Sequence, residues 1–104
     1  MEQLHIIKRT MEIKAAVEDA ALATIIRTKG STPRKTGSKM IIFLSGRIEG
    51  TIGGGCGEAE VIEEAIKVIQ SGIPIKHIVD LTKGLLYEDG GICGGIMEVY
   101  IEKV

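Results

Sequence analysis

Five residues, Gly53-Gly54-Gly55-Cys56-Gly57, stand between a run of strand character ending at Ile52 and an acidic, helix-patterned run beginning at Glu58. That placement constrains the fold more than any other feature. Four glycines in five positions belong in neither a strand nor a helix, because each costs conformational entropy. The chain must therefore turn sharply there, from a strand into a helix. A helix start exposes unpaired N–H groups and carries a partial positive charge. Glycines let successive N–H groups converge on one point, so the turn suits an anion. The same field lowers a thiol pKa, which would make Cys56 a better nucleophile or metal ligand. Packing alone is the competing explanation, with Cys56 as a small core residue.

The rest of the chain supplies elements to frame this turn. Residues 2–19 read as an amphipathic helix, with Leu4, Ile7 and Met11 at helical spacing and Ile6, Ile13 and Val17 widening the stripe. Residues 21–29 read as a strand, 30–37 as a loop stiffened by Pro33, and 38–44 as a second strand. Ser45-Gly46 is a hairpin signal, and residues 47–52 return as a third strand. The helix after the turn spans residues 58–70, with Ile62, Ala65, Ile66 and Ile69 expected inside and Glu60, Glu63, Glu64 and Lys67 in water. Gly72 and Pro74 end it. Residues 75–81 form a fourth strand, and Met97, Val99 and Ile101 alternate with polar residues in a last one. This order predicts one α+β domain over residues 1–104: a single mixed sheet of about five to six strands covered by two helices.

A second glycine-flanked thiol, Gly90-Gly91-Ile92-Cys93-Gly94-Gly95, precedes that last strand. It reads either as a second wall of one pocket, with Cys93 facing Cys56, or as a loop with a bulge. Phosphate-binding patterns fail on the first cluster. Glu58 stands where a dinucleotide motif ends in glycine, and Cys56-Gly57 where a Walker loop needs Lys and Ser/Thr. Lys35-Thr36-Gly37 lacks the S-x-x-K partner of serine β-lactam enzymes. His5 and His77 lack zinc spacing relative to the thiols, and His77 reads as a half-buried histidine on a strand face.

Charge is unevenly spread. Net charge is −1, but no acid lies between Asp19 and Glu49, an interval holding Arg27, Lys29, Arg34, Lys35, Lys39 and Arg47. A near-neutral chain with only Phe43, Tyr87 and Tyr100 as aromatics offers no stacking platform, so no nucleic-acid partner is expected. No apolar run is long enough to span a membrane, and no secretory leader is legible at the start. Two cysteines are too few for a disulfide scaffold. A cytoplasmic protein with reduced thiols is the expectation. A homo-oligomer is expected as well, since a chain this short gains burial from an interface.

Three stretches resemble the XdhC/CoxI family. They are residues 23–34 (ATIIRTKGSTPR) with Gly37-Ser38-Lys39-Met40, residues 50–56 (GTIGGGC) before an acidic helix, and Ile92-Cys93-Gly94-Gly95 before a terminal strand. They occur in the family's order and span about residues 21–103, matching the family's N-terminal domain only. The resemblance implies an accessory role in maturing molybdenum hydroxylases of the xanthine dehydrogenase type, by sulfuration or insertion of the molybdenum cofactor. It implies a non-enzymatic chaperone carrying molybdopterin as bound cargo. Arg34, Lys35, Gly53, Gly54, Gly55, Cys56 and Cys93 are the implied cofactor-binding residues. Cys56 and Cys93 are the chemically active pair, with Cys56 as metal ligand. The implied partners are the hydroxylase apo-enzyme, a sulfur donor, and a separate Rossmann-domain protein in place of the family's C-terminal half. Two other readings stay open: a ligand-free interaction module docking on the hydroxylase or on such a Rossmann-type protein, and a thiol-redox enzyme.

Overall fold

The structure is a computed structural model that describes residues 2–53, 55, 57–83 and 94–104. Two helices and five strands follow in the order α1 Glu2–Ala16, β1 Ala20–Lys29, β2 Lys39–Phe43, β3 Ile48–Gly50, α2 Glu58–Ser71, β4 Ile75–Asp80 and β5 Ile96–Lys103, with a 3₁₀ turn at Leu81–Lys83. The strands form one sheet in the order β3-β2-β1-β5-β4. The α+β expectation therefore holds.

The sheet differs from the expected mixed one in being antiparallel at every pairing. The reason lies in the connections. The one helical crossover among the described residues, through α2, joins β3 to β4, and these lie at opposite edges of the sheet. No pair of neighbouring strands is joined in the way that makes parallel partners. β5 enters between β1 and β4, so the first and last strands form the centre. A bulge interrupts β1, where Ile25 pairs with Val99 but Arg27, not Ile26, pairs with Glu98.

Each helix takes one face. Ala21, Ala23, Ile25, Met40, Ile42, Met97, Val99 and Ile101 turn toward α2 and pack on Val61, Ala65, Val68 and Ile69. Ala20, Ile41 and Phe43 turn the other way, toward Ile6 and Ile13 of α1. The buried stripe of α2 is thus rotated from the sequence reading: Val61 and Val68 lie inside, and Ile62 and Ile66 only partly.

Helix α1 departs further. Leu4, Ile7, Met11 and Val17 point outward, and Met11 is 67% exposed. Ile6 and Ile13, two turns apart, carry the contact. The choice of face follows Arg9, which shares it. Arg9 Nε reaches Glu49 Oε1 at 2.9 Å and its Nη2 reaches Oε2 at 3.2 Å, a fork matched to a carboxylate. Arg47 meets the same carboxylate at 3.1 Å, and its guanidinium lies 4.0 Å from the centre of the Phe43 ring. Apolar periodicity does not see this pair, which ties α1 to β3.

Arg9's hydrogen bonds hold the Glu49 carboxyl below the ordinary carboxylate range. A depressed carboxylate contributes stability above its unfolded pKa, and that contribution is lost as pH falls through the lower folded value. Glu49→Gln should therefore lower the melting temperature by about 2–5 °C at pH 7. Thermal scans at successively lower pH should show the gap narrow as the pH falls through the depressed folded value of Glu49.

Candidate functional site

The register gathers the motif loops at one end of the sheet. Lys29, ending β1, lies opposite Ile96, which opens β5, and Ile96 lies opposite Asp80, which ends β4. Met40, near the start of β2, lies opposite Gly50, the end of β3. The basic loop after β1, the glycine turn after β3 and the segment leading into β5 therefore all leave from this end.

Direct contacts join them. Gly95 sits so close to the β1 exit that an added Cβ would lie 2.5 Å from Lys29 O and 2.6 Å from Ser31 O. Beside it, Gly94 N–H donates to Ser31 O and Leu81 N–H donates to Gly95 O. Gly57 has φ +77, and a Cβ there would meet Val79 Cγ1 at 2.5 Å. So Gly57 holds the start of α2 down on β4, and Gly95 holds the start of β5 against the basic loop. These two are packing glycines.

Two others are not. No described atom lies within 4 Å of a Cβ built at Gly55 or at Gly94. Gly55 is exposed at φ +112. Open backbone beside closely packed backbone is what a ligand needs to approach main-chain groups. Gly53 is buried, and its N–H is already donated to Thr51 Oγ1 at 3.1 Å. Gly54, Cys56 and Cys93 lie outside the described residues, as do Tyr87 and Asp89. The described neighbours of both thiols, Gly55, Gly57 and Gly94, belong to this end of the sheet.

Arg34 and Lys35 are exposed in the basic loop. That loop is pinned at its far end, where Gly37 N–H donates to Ile25 O at 2.7 Å and Ser38 N–H to Lys35 O at 3.1 Å. On the α1 side of the sheet, Arg27, Thr28, Lys29, Ile96 and Glu98 line a hollow of about 250 Å³. Glu98 there lies 3.8 Å from Arg27 Nε and 3.4 Å from Lys76 Nζ. His77 Nε2 lies 2.7 Å from Glu60 Oε1, so the histidine ties β4 to α2. Among the described residues no three His, Cys, Asp or Glu side chains gather as a metal site would.

The sequence reading passed over the side chains that brace the turn. Thr51 Oγ1 donates to Glu58 Oε2, joining the exit of β3 to the first residue of α2. The available signal was Thr51 two residues before Gly53, the spacing at which a hydroxyl accepts a backbone N–H.

Comparison with known proteins now bears on this arrangement. The model of the XdhC and CoxI family matches residues 13–80. The chain belongs to that family. It is 33% identical over 93 residues to a probable xanthine dehydrogenase subunit of Bacillus subtilis (strain 168), covering 84% of this chain and 27% of that protein. It is 31% identical over 67 residues to the molybdenum cofactor insertion chaperone PaoD of Escherichia coli (strain K12), covering 64% and 21%. YqeB of the same organism, an uncharacterized protein, is 38% identical over 81 residues, covering 78% and 15%. A crystal structure of a xanthine dehydrogenase from Bacillus halodurans superimposes with a TM-score of 0.81 at 29% identity, over all of this chain and 31% of that one. The chain thus spans less than a third of each of these relatives. No helix among the described residues is long and apolar enough to cross a membrane.

Gly95→Ala should destabilise the fold by about 1–3 kcal/mol, the cost of forcing atoms into a filled space. Gly94→Ala, one residue away, should cost much less, because nothing described opposes its Cβ. Chemical denaturation of the two variants checks the contrast.

Proposed function

We propose that this family member carries the molybdenum cofactor as cargo and serves the maturation of a molybdenum hydroxylase of the xanthine dehydrogenase type. The single observation that carries the reading is that the described parts of the family's three motif segments meet at one end of the sheet, where no described atom crowds a Cβ built at Gly55 or Gly94. The names of the relatives, one of them a molybdenum cofactor insertion chaperone, support the class of cargo.

The cofactor is an anionic pterin with a terminal phosphate and a thiolate-bound metal. Arg34 and Lys35 supply positive charge for the phosphate or pterin. The glycine turn, residues 53–55, stands at a helix start that favours an anion; Gly53 is its anchored member, its N–H held by Thr51 Oγ1, and Gly55 is its exposed one. Cys56 meets the molybdenum, and Cys93 is a second thiol, for contact with the metal or for passing on sulfur from a donor protein. The chain acts by binding and handing over, so its partner is the apo-hydroxylase.

A second reading, an interaction module without its own ligand, draws support from the outward row Leu4, Ile7 and Met11 on α1. Recovery of a hydroxylase or Rossmann-type partner with no cofactor carried favours it. The first reading requires purified protein to bind molybdopterin. Cys56→Ala and Arg34→Ala should each weaken that binding more than tenfold, or about 1.4 kcal/mol, in an equilibrium titration. Equal affinity in all three proteins removes the site assignment.

A further inference from the structure

We infer that Thr51 and Glu58 are positioning residues for the glycine turn, a role that rests on the cofactor-binding reading above. The two lie seven positions apart, on either side of the turn, and are joined by one hydrogen bond in which the Thr51 hydroxyl donates to the Glu58 carboxylate. The same hydroxyl oxygen accepts the Gly53 N–H at 3.1 Å. A single side chain thus holds the last residues before the turn, the turn's first glycine and the first residue of α2.

This differs from ordinary helix capping. The N-cap of α2 is Gly57, and no side chain caps it. The Glu58 carboxylate reaches back across the turn to Thr51. The turn needs such a clasp for a physical reason. A short segment rich in glycine has many backbone conformations, and a ligand that binds it must meet the entropy of selecting one. Joining the two ends beforehand removes much of that freedom before cargo arrives, which is preorganisation. The clasp also fixes where the Glu58 charge sits. A carboxylate in the first helical turn opposes an incoming anion. Bonded to the Thr51 hydroxyl, it is committed to the stem of the turn.

The test titrates molybdopterin into the full chain as wild type, Thr51→Val, Thr51→Ser, Glu58→Ala and Glu58→Gln. Melting temperature and Gly53 amide exchange are measured on each. Thr51→Val should bind about tenfold more weakly than wild type, and Thr51→Ser, which keeps the hydroxyl, within about twofold of it. Both Glu58 variants lose the charge, but only Gln keeps an acceptor, so Glu58→Ala should bind about tenfold more weakly than Glu58→Gln. Gly53 exchange should quicken in Thr51→Val with little change in melting temperature. Should Thr51→Val not fold, the Glu58 pair carries the same comparison. If wild type binds molybdopterin and Thr51→Val or Glu58→Ala binds equally well, or Ser and Gln fail to rescue, the positioning role is overturned and the cofactor reading stands. If wild type binds no molybdopterin, the cofactor reading fails and the inference falls with it.

Discussion

The molecule depends on one close approach of backbone to backbone. At Gly95 the start of β5 comes against the carbonyls of Lys29 and Ser31 with no room for a Cβ. That contact places the central strand pair β1 and β5 in register to its very end. Everything proposed for the ligand end follows from it. The Leu81 amide bonds to Gly95, so β4 is brought to the same level. Val79, on β4, then receives Gly57 and with it the first turn of α2. A series of close contacts thus runs from the basic loop to the glycine turn, backbone to backbone except at its last link, where the Val79 side chain meets Gly57.

Glycine at this end does two separate jobs, and sequence alone does not tell them apart. Gly57 and Gly95 are there because neighbouring atoms fill the space a side chain would take. Gly55 and Gly94 have no described atom in that space. Close packing and ligand access were competing explanations for the clusters as a whole. In three dimensions close packing accounts for Gly57 and Gly95 but not for Gly55 and Gly94, one residue or two away in the same clusters. Rigid and open backbone placed side by side is a reasonable basis for holding a large planar anion with few side-chain contacts.

Much of the fold was legible because the chain is locally consistent. The glycine turn required a strand before it and a helix after it, and β3 and α2 stand there. Alternation in the last strand gave β5 with Met97, Val99 and Ile101 inside. The reading failed where a polar pair decides the geometry. Leu4, Ile7 and Met11 gave α1 a plausible apolar stripe, but the face with fewer apolar residues won, because Arg9 on that face finds Glu49 across 40 positions of chain. No window of helical length contains that partner. For the proposed site, the described motif residues lie together at one end of the sheet, whereas Thr51 and Glu58 were missed as a pair. Glu58 was legible only as the residue that breaks the dinucleotide pattern and opens an acidic helix, since its hydroxyl partner lies on the far side of the turn.

The bulge in β1 has a consequence for solubility of the basic stretch. Strand side chains alternate strictly, and Ile25 points into the layer under α2. Unbroken alternation would send Arg27 the same way and drive a guanidinium into hydrocarbon. The extra residue, Ile26, resets the phase, so that Arg27 stands opposite Glu98 and Lys29 falls on the same outward side. One surplus isoleucine, itself 44% exposed, lets a single ten-residue strand be greasy at its beginning and cationic at its end. The positive segment is delivered to water without a break in the sheet.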